Sequence, residues 1–329
     1  MIWLTLIAAL LAPPPRPPGW LKGQLHAHSD QSADSKTPPL VVGMWYRDHG
    51  FDFLVYTDHN RVHVPPRVPG ILLLPGVEIT LDPPSCTPPP EADHGCSIHV
   101  NALVVKPARL RLDKVDEPAP LRVDVYRRGL KQAAALGGIG QLNHPNFRFM
   151  ADGQTLIDLA ADGPLLFEVA NEAVDSMNQG DATHPSTEAM WDQALTAGRV
   201  VYGTATDDAH DYLDAPFVAA QGEMAHVGNR GFVMVKARRN GAAIRKALAT
   251  GRFYASNGPF LEVAEVKRGA LRVEGSTITR IRFIGTGGEV LSTVEGSKGR
   301  YLVPKTGYVR AVAEDLAGRK AWVQPVWRR

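Results

Sequence analysis

The chain has little cysteine and almost no imbalance of charge. Only Cys86 and Cys96 occur in 329 residues, too few for a disulfide framework, and the lack of a CxxC pair argues against a structural zinc site. They lie in a proline-rich stretch, where an oxidising compartment would let them close a loop; free thiols are the other state open to them. Lys and Arg number 36 against 34 Asp and Glu, a formal charge of +2. No basic run is long enough to track a phosphate backbone, so nothing points to nucleic-acid binding. No GxSxG elbow, P-loop or dinucleotide fingerprint appears, which removes serine hydrolase, nucleotide phosphotransfer and nicotinamide chemistry. No apolar run reaches transmembrane length.

What is present is an ordinary globular composition, 44% hydrophobic and 21% charged, enough for a sizeable core and a second small domain. Residues 1–12, MIWLTLIAALLA, precede PPPRPPG and match the core of a signal peptide, so residues 1–19 are expected to be a leader and the protein to be exported, periplasmic or extracellular. The run has no Lys or Arg ahead of it and Pro13 behind it. A buried first strand or an uncleaved anchor is therefore the alternative.

From residue 20 short apolar runs alternate with helical ones, the pattern of α/β units. LKGQLHAH reads as a strand, followed by a helix capped by Thr37, opening with Pro38 and Pro39 and ended by Gly50. FDFLVYT, ILLLPGVEI, SIHVNALVV, GIGQLNHP, PLLFEVAN and RVVYGTAT read as further strands. DVYRRGLKQAAALG and STEAMWDQALTAG read as helices. The count is about seven βα-type units. Residues 83–97 and 211–230 are long insertions, functional lids or disordered segments. From 258 to 329 short alternating runs predict a small all-β, sandwich-like module. That module contains no histidine, so imidazole chemistry belongs to residues 20–257.

The predicted strands run into metal-capable residues: His26 and His28, His59, Glu78, His99, His144, Glu168, then Asp208 and His210. Ligands at strand C-terminal ends are what an α/β barrel presents on one face. His26 and His28, two apart on a strand, point to one side and can grip one ion, a spacing that Asp208 and His210 repeat. A single strand histidine is ordinarily a hydrogen-bonded core or surface residue; six at strand ends are a pattern. His49 suits a helix C-terminus, His63, His184 and His226 fall in loops and read as solvated, and His94 sits where it could reach the site from outside.

His26-Ala27-His28 with Ser32 and Asp34, then Thr57-Asp58-His59-Asn60, Gly76-Val77-Glu78, His99, Asn143-His144-Pro145 and Asp208-Ala209-His210 come in the order of the PHP (polymerase and histidinol phosphatase) superfamily. Over about residues 20–256 the chain resembles that superfamily. The resemblance implies a distorted (β/α)7 barrel, a cluster of two or three divalent metal ions (zinc, manganese or iron), and phosphoester hydrolysis. It implies His26, His28, Glu78 and Asp208 around one metal and its bridge, Asp34, His59 and His210 at a second, and His99 and His144 at a third. Many relatives have Asp directly after the Ser at position 32, where this chain has Ala33 and then Asp34. Asp-x-His spacing favours Asp208 over Asp207. Asp58 reads as a partner orienting a ligand, grouped with Glu78 and His59 at the catalytic centre, and Glu168 as another such partner or a hydrogen-bond acceptor for substrate. The segment after GRFYAS, the β module and the closing AWVQPVW resemble exported PHP proteins that include a carbaryl-hydrolysing carbamate esterase.

Divalent ions held by imidazoles and carboxylates bring the pKa of a bridging water to about 7, making a hydroxide nucleophile. Asn143, Arg148, Asn171 and Arg61 are the candidate contacts to a small-molecule ester, each with a second reading as a loop residue capping a turn. Three functions remain open: a phosphomonoesterase or phosphodiesterase, a carbamate or amide metallohydrolase, and a non-catalytic metal-dependent binding protein.

Overall fold

A computed structural model describes residues 17–91, 95–113 and 121–328. The expected leader up to residue 16, and His94, lie outside the described residues. The first part contains β1 (Leu21–Gln24), β2 (Phe53–Tyr56), β3 (Arg61–Val62), β4 (Leu72–Pro75), β5 (Val77–Thr80), β6 (His99–Leu103), β7 (Leu110–Arg111), β8 (Ile139–Leu142), β9 (Leu165–Asn171), β10 (Val201–Thr206), β11 (Phe232–Val235) and β12 (Phe253–Ser256). The β-rich C-terminal part adds β13 (Val263–Lys267), β14 (Ala270–Glu274), β15 (Ile278–Ile284), β16 (Val290–Glu295), β17 (Lys298–Leu302), β18 (Tyr308–Asp315) and β19 (Lys320–Trp327).

The strands form a nine-stranded sheet, β16-β15-β18-β19-β12-β11-β1-β2-β4, and a five-stranded sheet, β10-β9-β8-β6-β5, with smaller sheets β13-β14-β17 and β3-β7. This arrangement is mixed α/β, and it does not show the seven βα units of the distorted (β/α)7 barrel expected. Six α-helices lie among the described residues, and the pairs β5–β6, β6–β8, β1–β11 and β11–β12 are antiparallel. The reason is local. ILLLPGVEI is two strands broken at Gly76, and the chain returns from β5 to β6 through a proline-rich loop that cannot supply the crossover helix a parallel neighbour needs. β1–β2, β2–β4, β8–β9 and β9–β10 do run parallel.

The two large sheets meet at Gly76 because nothing larger fits: a Cβ there would lie 2.6 Å from the Tyr56 carbonyl oxygen in β2 and 2.9 Å from that of Ala102 in β6. Across the second seam the side chain of Gln24 donates to the Gly231 carbonyl at 3.0 Å and to Asp207 Oδ2 at 2.5 Å. Asp207 in turn accepts from the amides of Asn229, Arg230 and Gly231. Gln324 of β19 exchanges two bonds with Gly203 of β10, at 3.0 and 2.7 Å. Side chains thus close a seam that backbone ladders leave open.

The helix after β1 spans Pro39–Asp48 with Pro38 at its N-cap position and no side-chain cap. The expected Thr37 cap is not formed: the ring of Pro39 forces Pro38 into extended backbone, ψ 145°, so Pro38 takes the boundary itself. The C-terminal strands continue the large sheet across residue 258, because β19 pairs with both β12 and β18. The helix Thr187–Thr196 is bound to β18 by a buried ion pair. Arg310 donates to Asp192 from Nε at 2.7 Å and from Nη2 at 2.6 Å, and Tyr308 Oη donates to the same carboxylate at 2.8 Å.

Candidate metal centre

The loops after β1 and β10 are laced together, Ala27 bridging Ala209 and the Asp208 amide donating to the His26 carbonyl at 3.0 Å. This places His26, His28, Asp208 and His210 side by side. His59 follows β2 and bridges Glu78 in β5. His99 was expected at a strand's C-terminal end but begins β6; β6 runs opposite to β5 and β8, so its first residue arrives at the end where His144 leaves β8. Glu168, also expected at a strand end, lies in the middle of β9, fully buried. Asn60, His144 and Asp208 hold φ of 51°, 24° and 51°, left-handed backbone that costs on the order of 1–3 kcal/mol per residue and aims these side chains.

All nine sequence-predicted ligands converge. Glu78 is the hub: Oε1 lies 3.3 Å from His26 Nε2, 3.1 Å from His99 Nδ1 and 3.3 Å from His144 Nε2, while Oε2 lies 3.4 Å from His28 Nε2 and 3.1 Å from His59 Nδ1. Asp208 Oδ1 lies 3.0 Å from His26 Nε2 and 3.1 Å from His28 Nε2. Asp34 Oδ2 lies 2.9 Å from His59 Nε2 and 3.3 Å from His210 Nε2. Three overlapping donor groups could each hold a metal ion: His26, His28, Glu78 and Asp208; His28, Asp34, His59 and His210; and His59, Glu78 and His99. His144 stands against the third group through His99, at 3.2 Å. The cluster opens to solvent at Asp34, whose side chain is 41% exposed, and is buried at His26 and Glu78.

Polar residues fix the rings from behind. Glu168 Oε1 meets His26 Nδ1 at 2.7 Å, and Glu168 also accepts from Thr206, Gln141, Asn171 and the His144 amide. Ser32 Oγ meets His28 Nδ1 at 3.0 Å, and Thr80 Oγ1 meets His59 Nδ1 at 2.5 Å. Asp58 accepts from Ser29 and lies 2.9 Å from His63, away from the donor groups. Asn143 donates to Glu78 at 2.8 Å and Asn171 to Asp208 at 3.2 Å. Both asparagines are buried, engaged with cluster carboxylates rather than turned to solvent. Arg148 donates to Ser97 at 3.0 Å, and Arg61 is exposed on the β3–β7 ribbon.

One residue near the site was missed in the sequence, and another was misread. Asp82 lies 3.2 Å from His99 Nε2; its position four residues past Glu78 was the available signal, hidden by the prolines that follow. His63, read as solvated, faces Asp58 instead.

Electrostatics follow the packing. Burial works against a charged His26, yet Asp208, Glu78 and Glu168 outweigh it and raise the ring well above its ordinary value. Burial likewise opposes charge on His99 and His210, but Glu78 and Asp82 push His99 up to about 10, and Asp34 and Asp208 push His210 up to about 9. His28 is the exception, lowered by burial and by the neighbouring His210 and His59. Burial would raise Glu78 and Asp208, but the surrounding imidazoles hold both carboxylates well below their ordinary range. So many imidazoles and carboxylates in mutual contact fit divalent cations of borderline character. His26 Nε2, fully buried and without a hydrogen-bond partner among the described residues, is the nitrogen such an ion would satisfy.

Cys86 and Cys96 are disulfide-bonded, with Cα atoms 6.2 Å apart. The loop they close is tied down by Arg122, the first residue of the helix Arg122–Ala135, donating to the Pro89 carbonyl and by His184 Nε2, 3.0 Å from Glu91. No helix among the described residues is long and apolar enough to cross a membrane.

No protein-family model and no curated protein matches the chain. Among solved structures it is similar to a two-domain protein containing a predicted PHP-like metal-dependent phosphoesterase from Bacteroides vulgatus, at 20% identity over 92% of each chain with a TM-score of 0.48. It is also similar to a protein described as a metal-dependent phosphoesterase from Bifidobacterium adolescentis, at 14% identity over 61% of this chain and 90% of that one, with a TM-score of 0.38.

Proposed function

We propose that this chain is a metal-dependent phosphoesterase of the PHP type, its two large sheets forming the halves of a distorted barrel. The observation that carries the reading is the convergence of five histidines and three carboxylates into overlapping donor groups that share His28, His59 and Glu78, with a sixth histidine, His144, 3.3 Å from Glu78. Sharing is what a multinuclear centre requires, because bridging donors hold ions close together. His26, His28, Glu78 and Asp208 would hold one ion, Asp34, His59 and His210 a second, and His99 and His144 a third. Such ions supply water acidified to a pKa of about 7 and Lewis-acid polarisation of a phosphoryl oxygen.

The chain's own residues do the positioning. Glu168 fixes His26 with Nε2 turned inward, and Ser32 does the same for His28. Asn143 and Asn171 hold Glu78 and Asp208 by donating to one oxygen of each, so neither carboxylate needs to reorganise when substrate arrives. Asp58 anchors the loop of Ser29 beneath Ser32 and acts through it. The half-exposed Asp34 and His59 mark the side from which an ester would enter. The bonded Cys86 and Cys96 support export into an oxidising compartment.

The test is metal content by plasma mass spectrometry on protein purified without chelator, with turnover of a nitrophenyl phosphomonoester, a phosphodiester and a naphthyl carbamate. Two or three equivalents of transition metal with turnover of a phosphoester are expected. Turnover of the carbamate alone would replace the phosphoesterase by the carbamate hydrolase. Absence of metal after reloading would overturn the centre altogether.

A further inference from the structure

A cleft of about 650 Å³, lined by residues that flank candidate ligands in sequence, is left unused by the reading above. One wall is the β3–β7 ribbon, which begins two residues past His59. The other is the segment Gln31, Pro38, Pro39 and Leu40, on either side of Asp34 in sequence. The cleft is therefore continuous in sequence with two candidate ligands.

Its lining is cationic. Arg61 stands directly opposite Arg111 in the antiparallel pair, and Arg109 joins them along the same wall. All three are exposed, and no described carboxylate pairs with any of them. Asp30, next to Gln31 of the lining, is engaged by Gln31 Nε2 at 2.7 Å, and Asp58 by His63 at 2.9 Å. Like charges placed opposite one another on a ladder destabilise it, so this pairing works against the fold. Guanidinium groups are the side chains best suited to grip a carboxylate, sulfonate or phosphate in two-pronged fashion.

We propose that the cleft binds an anionic group on the non-reacting part of the substrate, so that preferred substrates carry a second phosphate, carboxylate or sulfonate besides the scissile ester. The inference rests on the phosphoesterase reading and narrows its substrate class. Arg61, Arg109 and Arg111 are the specificity residues, and the apolar wall of Pro38, Pro39 and Leu40 takes the body that joins the two anionic ends.

The test uses the metal-loaded full chain and Arg109→Ala/Arg111→Ala. Naphthalene-1,5-disulfonate is titrated calorimetrically into each, and kcat/KM is compared for naphthyl phosphate with and without a ring sulfonate. Loss of two charge-assisted contacts should weaken disulfonate binding about ten-fold or more and collapse the wild-type preference for the sulfonated ester by a similar factor. The double variant should melt no lower than the parent, since it relieves like-charge repulsion. Equal binding by both proteins, with an unchanged substrate preference, overturns the cleft. If neither ester is turned over while disulfonate binding still depends on the two arginines, the anion site stands and the phosphoesterase reading falls.

Discussion

His26 and Glu168 share a hydrogen bond of 2.7 Å between Nδ1 and Oε1, both side chains fully buried. That bond fixes the ring's orientation and leaves Nε2 facing Glu78 and Asp208. The first prediction concerns it: Glu168→Gln keeps the shape and loses the charge that favours this orientation, so metal affinity should fall about 10–100-fold. Competition with a chromophoric chelator measures it. Unchanged affinity would show that the ring needs no such partner.

Glu78 reaches five imidazoles, so its loss should be felt at every candidate ion. Glu78→Ala, and independently His59→Ala, should abolish hydrolysis and lower bound metal without unfolding the chain. Full activity in either variant would refute the proposed cluster.

The pair of Arg310 and Asp192 lies between the helix Thr187–Thr196 and β18, with Arg310 1% exposed. Arg310→Met leaves a mostly buried carboxylate without its cationic partner, only the Tyr308 hydroxyl still donating to it, and should cost about 3–5 kcal/mol. The double change Arg310→Met/Asp192→Leu should recover most of that loss. Denaturant unfolding reads both, and a double variant as unstable as the single one would contradict the account.

Glu188 contributes a pH dependence of defined sign. Burial would raise its carboxyl, but Arg310 and Lys320 hold it below its ordinary value. A depressed carboxylate adds stability that is complete above the unfolded-state value near pH 4 and disappears as pH falls through the lower folded value. Glu188→Gln should therefore be less stable than the parent at pH 7, with the gap closing below about pH 4. A gap that stays constant into acid would mean that the charge is not responsible.

Mass spectrometry of unreduced protein should show Cys86 and Cys96 bonded, and reduction should speed proteolysis within residues 83–97. Arg122, Arg148 and His184 tether that loop from outside, so digestion at equal rates in both states would mean that the tethers suffice.

The donor set was legible in the sequence because ligand spacing is short-range: His26 and His28, or Asp208 and His210, fall together whatever the sheet does. Most strand positions were legible for the same reason, through apolar runs ended by turn residues. The pairing was not. Whether β6 runs with or against β5 depends on what the proline-rich stretch after Leu81 can form, and period-two patterning is blind to direction. RGFVMVK, which contains β11, was passed over because it follows a long insertion. Asn143 and Asn171 were read as substrate contacts from their place after strands. Their partners, Glu78 and Asp208, are 65 and 37 residues away, a separation that no local reading bridges.

The place of β19 in the large sheet bears on how the protein is made. Lys320–Trp327 lies between β12 and β18, so the sheet that carries β1 and β2 stays open along β12 until residue 327 has left the ribosome. During synthesis β12 presents an unpaired edge, a template for wrong partners. Chains stopped ahead of residue 320 would keep that edge open and be aggregation-prone even with every candidate metal ligand in place.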